Sequence, residues 1–323
     1  MILAGDIGAT KTLLALFERR PVRPAPIVVR SFWTRQFQSL GDMVAAFLAS
    51  EGVNQNRIEA ACFGVAGPVL DGRSSLTNVG WAVVASDVRD RFALQEVELL
   101  NDLEAMAWSV PVLAATELDT LQVGARAPSG NAVVIAAGTG LGMAILLRAG
   151  AAFLPVASEG GHADFAPRTA REVQLLNALT EWYGRAQWED ILSGPGLVNL
   201  HRFTHKTPCL QVPSTMEPAE KPSAISTAAL ERRCVQCVES LDLFTSIYGS
   251  AAGNLALTAT ATGGVYVGGG IAPKILPALR GGQFMAAFGA KAPMERLLAR
   301  TPVHIILNPE VGLLGAAVRV NAK

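Results

Sequence analysis

Excess charge of either sign is missing from this sequence. Twenty-seven Lys and Arg balance 27 Asp and Glu over 323 residues, which leaves no electrostatic footprint for nucleic acid or an anionic membrane surface. A charged ligand must then be met by local groups or backbone dipoles. A leader-like start is missing as well. Met1 to Lys11 places Asp6 inside what would be the apolar core of a signal peptide, with no basic segment before it, so no targeting segment is expected. Apolar runs are broken by glycine: the uncharged stretch from Asn131 to Leu147 carries Gly138, Gly140 and Gly142. That fits two short strands joined by a turn and not a membrane helix. Cysteine is scarce, at four, and without a secretion signal this points to a reduced, cytoplasmic protein. Cys234 and Cys237 form a CxxC in a helical-looking segment with no second pair, so packing is expected there and not a metal or redox role. His201 and His205 stand at i, i+4 without an acidic partner, and no role is assigned to them.

The patterning that is present alternates strands with helices, an α/β protein long enough for two domains. Strands are expected at 2–7 and 12–17, joined by a Gly-Ala-Thr turn, with Pro21 ending the second before a helix can develop. Further strands are expected at 27–33, 60–65, 97–100, 132–137, 143–147, 265–267 and 303–307. Helical spacing appears at 43–48, 87–92, 103–107, 170–183, 197–203 and 312–320, and as two helices within 224–262. Two more helices fall between 270 and 303, the first opening near Pro273. Ser193-Gly-Pro-Gly reads as a turn and 206–222 as an exposed loop. A strand, Gly/Thr turn, strand arrangement occurs at Asp6 to Thr10 and again at Gly138 to Gly142, suggesting two similarly built domains.

Chemistry concentrates at the ends of these strands. In Val97 to Trp108 a strand runs straight into Asn101-Asp102 and then into a helix, the usual place for a ligand at the mouth of an open α/β sheet. Asn101 and Glu104 are also spaced as a helix capping box, and the residues alone leave both readings open. Gly5 to Thr12 is one residue from a Walker A loop, but a strand follows where that loop requires a helix. Such a hairpin can still cradle phosphate through turn N–H groups and a Thr hydroxyl, and Asp6 could hold Mg²⁺ through water. Gly138 to Gly142 lacks dinucleotide-fold spacing and reads as a second hairpin of this kind. Gly268 to Gly270 would let a flat ligand approach bare backbone. Each of these three is also an ordinary glycine turn, but three in this order, with an Asp at a strand end between the first two, are not expected by chance.

Read together, AGDIGATKT, FGVAGPV, LNDLEAMAW, AAGTGLGMAIL, SEGGHADFAP, ILSGPGLVNLHRF, GNLALTATATGGVYVGGGIAP and VGLLGAA resemble the actin-like ATPase and sugar kinase superfamily. More narrowly, they resemble the bacterial glucokinases of the hexokinase-type fold, and the segments span residues 4 to 317. The resemblance implies a two-domain, ribonuclease H-like α/β fold with an interdomain cleft. Its small domain would be 1–108 plus 306–323 and its large domain 109–305. It implies that Asn101, Asp102, Glu159, His162 and Glu189 line the sugar site, with Asp102 the base. Asp6, Gly8, Thr10, Thr139 and Gly140 would meet the phosphates and Mg²⁺, and Gly268, Gly269 and Gly270 the adenosine end of ATP. Only the resemblance selects Glu189 over Asp190. The implied reaction is phosphorylation of D-glucose at its 6-hydroxyl by a cytoplasmic homodimer, with no nucleic-acid or membrane partner.

Two residues depart from the family pattern. Ala9 takes the place of a second glycine, which is tolerated only at negative φ, and Lys11 stands where these glucokinases often have Asn. The cysteine-rich zinc motif of the related repressor and sugar kinase group is missing after His162, so no structural zinc is expected. No helix-turn-helix extension precedes Met1, which argues against a repressor. The alternatives are a kinase of another hexose, a non-catalytic sugar sensor on the same fold, and an actin-like or chaperone ATPase acting on protein partners.

Overall fold

The computed structural model describes residues 1–76, 80–127 and 129–322. The chain opens with β1 (Ile2–Ile7), β2 (Lys11–Glu18), β3 (Ala25–Trp33), α1 (Leu40–Ser50), β4 (Ala60–Val65), β5 (Arg73–Leu76) and β6 (Trp81–Val84). Next come α2 (Ala85–Phe92), β7 (Glu96–Asn101), α3 (Asp102–Ser109), β8 (Leu118–Gln122), β9 (Ala132–Ala137), β10 (Leu141–Ala149) and β11 (Ala152–Ser158). Helices dominate the remainder: α4 (Ala170–Tyr183), α5 (Gly194–Thr204), α6 (Lys221–Leu230) and α7 (Val235–Ala259). The chain closes with β12 (Gly264–Gly268), α8 (Leu276–Arg280), α9 (Gln283–Gly289), α10 (Glu295–Leu298), β13 (Val303–Ile306) and α11 (Val311–Asn321).

The chain divides into two compact units, one of Met1–Ala114, Phe153–Ala157 and Asn308–Lys323, the other of Ala115–Ala152 and Ser158–Leu307. Lys323, the last residue of the expected small domain, lies outside the described residues.

In the first unit the sheet order is β3-β2-β1-β4-β7. Strands β1, β4 and β7 run parallel, with Ile7 opposite Val65 and Val65 opposite Asn101, so their carboxyl ends stop level. Both faces of the sheet are buried, and the period of two sorts the residues. Leu3, Ile7, Phe63 and Val65 pack with Met43 and Phe47 of α1. Ile2, Ala4 and Cys62 pack with Ala105 of α3 and with Leu313, Ala316 and Ala317 of α11. Burying each such large side chain stabilises the fold by about 1.5–3 kcal/mol.

The strands of the second unit are ordered β10-β9-β12-β13-β8. Here β9, β12 and β13 are parallel, while β10 returns antiparallel from β9. Its core gathers around α7, whose Phe244, Ile247 and Tyr248 are fully buried.

Four local readings change. Ser193-Gly-Pro-Gly is not a free turn: Ser193 caps α5, its Oγ accepting from Gly196 N at 2.9 Å, and the proline sits in the first turn where no N–H is missed. The helix expected near Pro273 begins at Leu276, and three short helices, not two, follow β12. The β5–β6 hairpin and the strands β8 and β11 had no counterpart in the pattern. Among the described residues no helix is long and apolar enough to cross a membrane.

Candidate active site

Three connections leave the level carboxyl edge of the first sheet. The first is the β1–β2 hairpin, closed by Gly8 N donating to Lys11 O at 3.1 Å. A Cβ on Gly8 would fall 2.7 Å from that same carbonyl, so only glycine fits the tight turn. Ala9 is not among the described residues with positive φ, so the condition for alanine at that position is met. The exposed Thr10 lies at the tip. Two buried threonines hold the hairpin from behind: Thr34 Oγ1 donates to Gly8 O at 2.7 Å and lies 2.9 Å from Thr12 Oγ1. Local spacing gave no hint of Thr34, because its partners lie 22 and 26 residues earlier.

Asp6 precedes the turn on the face of β1 that meets α11. A Cβ on Gly312, in the first turn of α11, would stand 3.1 Å from Asp6 Oδ2. Glycine there leaves room for the carboxylate at the positive end of that helix. Burial nevertheless pushes the Asp6 pKa up from 3.8 to about 6. A buried carboxylate of this kind suits a hydrated divalent cation, because Mg²⁺ keeps several waters and takes oxygen donors.

The second is the loop after β4, and the third is the direct passage of β7 into α3 at Asn101–Asp102. Asn101 is the N-cap of α3, its Oδ1 accepting from Leu103 N at 2.9 Å and Glu104 N at 3.4 Å. Its Nδ2 donates to Gly67 O at 3.1 Å, tying the loop after β4 to the start of α3. The capping reading is therefore realised in a residue only 8% exposed. Asp102 is the first residue of α3, and its Oδ1 accepts from Leu103 N at 2.9 Å.

The second unit repeats the plan. Ala136 stands opposite Gly268 on the parallel β9 and β12, so the loops that follow them leave one edge. The Gly138–Gly140 tip is closed by Gly138 N to Gly140 O at 2.8 Å and backed by Gly194 N to Gly138 O at 2.8 Å. Thr139 is exposed at its end. Gly269 has φ of +83°, and a Cβ on it would lie 2.3 Å from Ala137 O, while Gly270 faces open space. Beneath them the buried Tyr248 hydroxyl accepts from Ala137 N at 3.1 Å and donates to Ile135 O at 3.2 Å.

Beside this hairpin stand Glu159, His162 and Glu189. Leu141 N donates to Glu189 Oε2 at 2.8 Å, and a Cβ on Gly140 would lie 2.5 Å from the same oxygen. Asp190, equally eligible from its sequence, is consumed elsewhere: its Oδ2 accepts from Gln187 N at 3.0 Å. His162 Nδ1 lies 3.2 Å from Gln187 Oε1. A protonated Nδ1 donating to that amide oxygen leaves Nε2 as an acceptor, 3.9 Å from Glu159 Oε2. Glu159 and His162 remain 59% and 50% exposed, open to a ligand. Each unit thus holds a glycine hairpin suited to phosphate next to carboxylate and amide groups suited to hydroxyls.

A family model described as glucokinase matches residues 3–323. The chain belongs to the glucokinase family. A curated glucokinase from Nostoc sp. is 39% identical, covering 98% of this chain and 98% of that relative. One from Yersinia pestis is 35% identical over 99% of this chain and 96% of the relative. Among solved structures, a glucokinase from an Antarctic psychrotroph aligns at a TM-score of 0.87 with 29% identity, covering 100% of this chain and 99% of the other. A Streptomyces griseus ROK family glucokinase, solved with glucose and AMPPNP, aligns at 0.66 and 23% identity over 98% and 97%. The chain therefore has the actin-like ATPase and sugar kinase fold. It is a kinase of a glucose-phosphorylating family and uses ATP.

Proposed function

We propose that this glucokinase-family chain transfers the γ-phosphoryl group of Mg-ATP in line to the 6-hydroxyl of D-glucose, with Asp102 as the general base. The observation that carries this reading is the level carboxyl edge of β1, β4 and β7, which brings Asp102 and the Asp6–Thr10 hairpin to one side of one sheet. Asp102 accepts the hydroxyl proton as the oxygen attacks, a contribution of roughly 10²–10⁴-fold. Because phosphoryl transfer asks for positioning and charge neutralisation more than covalent chemistry, the hairpin N–H groups and the hydroxyls of Thr10 and Thr139 take most of the remaining work. Mg²⁺, when bound, neutralises phosphate charge, and Asp6 is the residue that would hold it through water. Gly268, Gly269 and Gly270 meet the adenosine end, where Gly270 leaves the backbone open.

A neutral, hydroxyl-covered hexose needs directional partners at fixed positions. Glu159 and Glu189 accept from hydroxyls, His162 Nε2 accepts, and the second amide hydrogen of Asn101 donates. A site built hydroxyl by hydroxyl rejects analogues that lack one, since a buried polar partner is then left unpaired. The negative φ of Ala9 supports a competent phosphate hairpin, so no observation favours the sensor reading. The division into 1–108 plus 306–323 and 109–305, a cytoplasmic location and a homodimer belong to the same proposal, the last tested by sedimentation.

The deciding experiment is ADP release with Mg-ATP, with and without glucose, beside Asp102→Ala. Glucose-dependent turnover in the parent and its near-complete loss in a folded variant is the expected result. Turnover that ignores glucose sinks the sugar assignment, and a fully active variant sinks the base. A hexose panel in the same assay tests the choice of glucose.

A further inference from the structure

Three of the four cysteines and two histidines collect away from the loops described above, where the end of α5 meets the start of α7. His201 and His205 are one turn apart at the carboxyl end of α5, and Cys209 follows in the next loop. Cys234 is the N-cap of α7 and Cys237 lies in its first turn. His205 Nε2 is 3.4 Å from Cys234 Sγ and 3.9 Å from Cys237 Sγ. Cys209 Sγ is 3.9 Å from each of the other two sulfurs. No disulfide joins them. The sequence reading of CxxC as packing, and of the two histidines as roleless, saw only local spacing; the α5–α7 contact assembles the group.

We propose that His205, Cys209, Cys234 and Cys237 bind one zinc ion as a closed, structural site. Tetrahedral zinc with bonds of about 2.3 Å to sulfur and about 2.0 Å to nitrogen sets sulfur atoms about 3.8 Å apart and sulfur and nitrogen about 3.5 Å apart. Cys209 Sγ to Cys234 and to Cys237, at 3.9 Å, and His205 Nε2 to Cys234, at 3.4 Å, lie close to those edges, while His205 Nε2 to Cys237, at 3.9 Å, must close by a few tenths of an ångström as the ion binds. His205 is oriented as zinc-binding histidines are: its Nδ1 lies 2.9 Å from His201 O. Donating there fixes the tautomer that leaves Nε2 bare toward the sulfurs. Thiolates favour zinc over the harder magnesium, and the three thiol protons are released as the metal binds. The resulting net negative charge sits at the amino end of the 25-residue α7, whose dipole stabilises it. His201 stacks on His205 with ring centroids 3.7 Å apart, and its Nε2 is buried without a hydrogen-bond partner. Its donor atom lies with those of His205, Cys209 and Cys237 in a group within 4.8 Å of one another; Cys234 takes the fourth position instead because its Sγ is 3.4 Å from His205 Nε2 and 3.9 Å from Cys209 Sγ, and thiolate is the softer ligand. All four ligands come from the protein, so the ion joins the 206–220 segment to α7 and has no open position for substrate.

The test uses the full chain, produced without a histidine tag in zinc-supplemented medium and analysed for metal by mass spectrometry. About one zinc per chain is expected in the parent, in His201→Ala and in Cys62→Ser, and below about a tenth in Cys234→Ser and Cys237→Ser. Because a ligand variant can fail to fold, cobalt is also added to the metal-stripped parent. Thiolate-to-cobalt charge-transfer bands together with intense tetrahedral d–d bands are expected. A parent that takes up neither metal, or that carries a Cys234–Cys237 disulfide as isolated, overturns the proposal. So does a site emptied by His201→Ala but filled in Cys234→Ser.

Discussion

The Glu189 carboxylate accepts a hydrogen bond from the Leu141 amide at 2.8 Å, and Gly140 has no side chain to keep it away. One carboxylate assigned to the sugar is therefore also a strut of the hairpin assigned to phosphate. Removing it is expected to do two things at once: Leu141 N–H loses its partner, and the sugar hydroxyl proposed to meet Glu189 loses its acceptor, each worth about 1–3 kcal/mol. Glu189→Ala is expected to raise KM for glucose by about 10–100-fold and to raise KM for ATP as well, while Glu189→Gln, whose amide oxygen still accepts from Leu141, moves mainly the glucose term. Steady-state kinetics with each substrate varied in turn separates the two. An unchanged KM for ATP in Glu189→Ala would show that the strut is idle.

Asp102 begins α3 but does not cap it; Asn101 does. Replacing Asp102 by Asn therefore keeps the cap and an oxygen near Leu103 N and removes the carboxylate proposed as the base. The expected outcome is a fall in kcat of about 10²–10⁴-fold with glucose affinity, read by calorimetry, changed less than tenfold, and melting within a few degrees of the parent. Equal losses in affinity and turnover would assign Asp102 to binding instead.

Much of this architecture is legible in the sequence. The strands 60–65 and 132–137 and the helix 170–183 appear with the expected bounds. Their signals are local: continuous apolar runs for the buried strands, and for α4 a Thr169 cap and a left-handed Gly184 at the end. Of the strands that escaped, β8 (LDTLQ) and β5 (RSSL) are short and of mixed polarity, so neighbours and not composition decide their state; β6 is only four residues, WAVV, and β11, AFLPVAS, carries a proline that argues against a strand. At the candidate site the glycine hairpins and the strand-end Asn-Asp were readable as loops. What was not readable is the support behind them: Thr34 under Gly8, Tyr248 under Ala137, Gln187 on His162, and Glu189 chosen over Asp190. Each depends on a distance between segments far apart in the chain, which no spacing rule encodes. The His and Cys cluster escaped for the same reason.

Thr34 gives that hidden support a measurable size. Thr34→Val keeps the shape, but Gly8 O loses its donor at 2.7 Å and Thr12 Oγ1 its partner. The expected cost is about 1–3 kcal/mol in chemical denaturation, with a severalfold rise in KM for ATP and little change in KM for glucose. Thr34→Ser, which keeps the hydroxyl, is expected to restore the ATP term. Failure of serine to restore it would trace the effect to packing and not to the hydroxyl.

Asp6 makes a pH-dependent contribution to the stability of the first unit. Its folded pKa of about 6 lies above the ordinary 3.8, so between those values the folded state binds more protons than the unfolded one. Stability from this group is greatest at low pH and is lost as pH rises through about 6. In the absence of metal, ionised Asp6 therefore costs at most about 3 kcal/mol at pH 7.5, from a shift of about two pKa units. Asp6→Asn should recover up to that amount at pH 7.5 in EDTA and change almost nothing at pH 4, as read from urea midpoints at the two values. The same variant should lose most Mg-ATP turnover, because the group that is costly when ionised alone is the one that suits a hydrated cation. In the parent, kcat/KM for ATP should fall on the acid side of pH 6 at low Mg²⁺, and this limb should move to lower pH as Mg²⁺ is raised, since the cation competes with the proton for the carboxylate. A limb that stays fixed across Mg²⁺ concentrations would separate Asp6 from the metal.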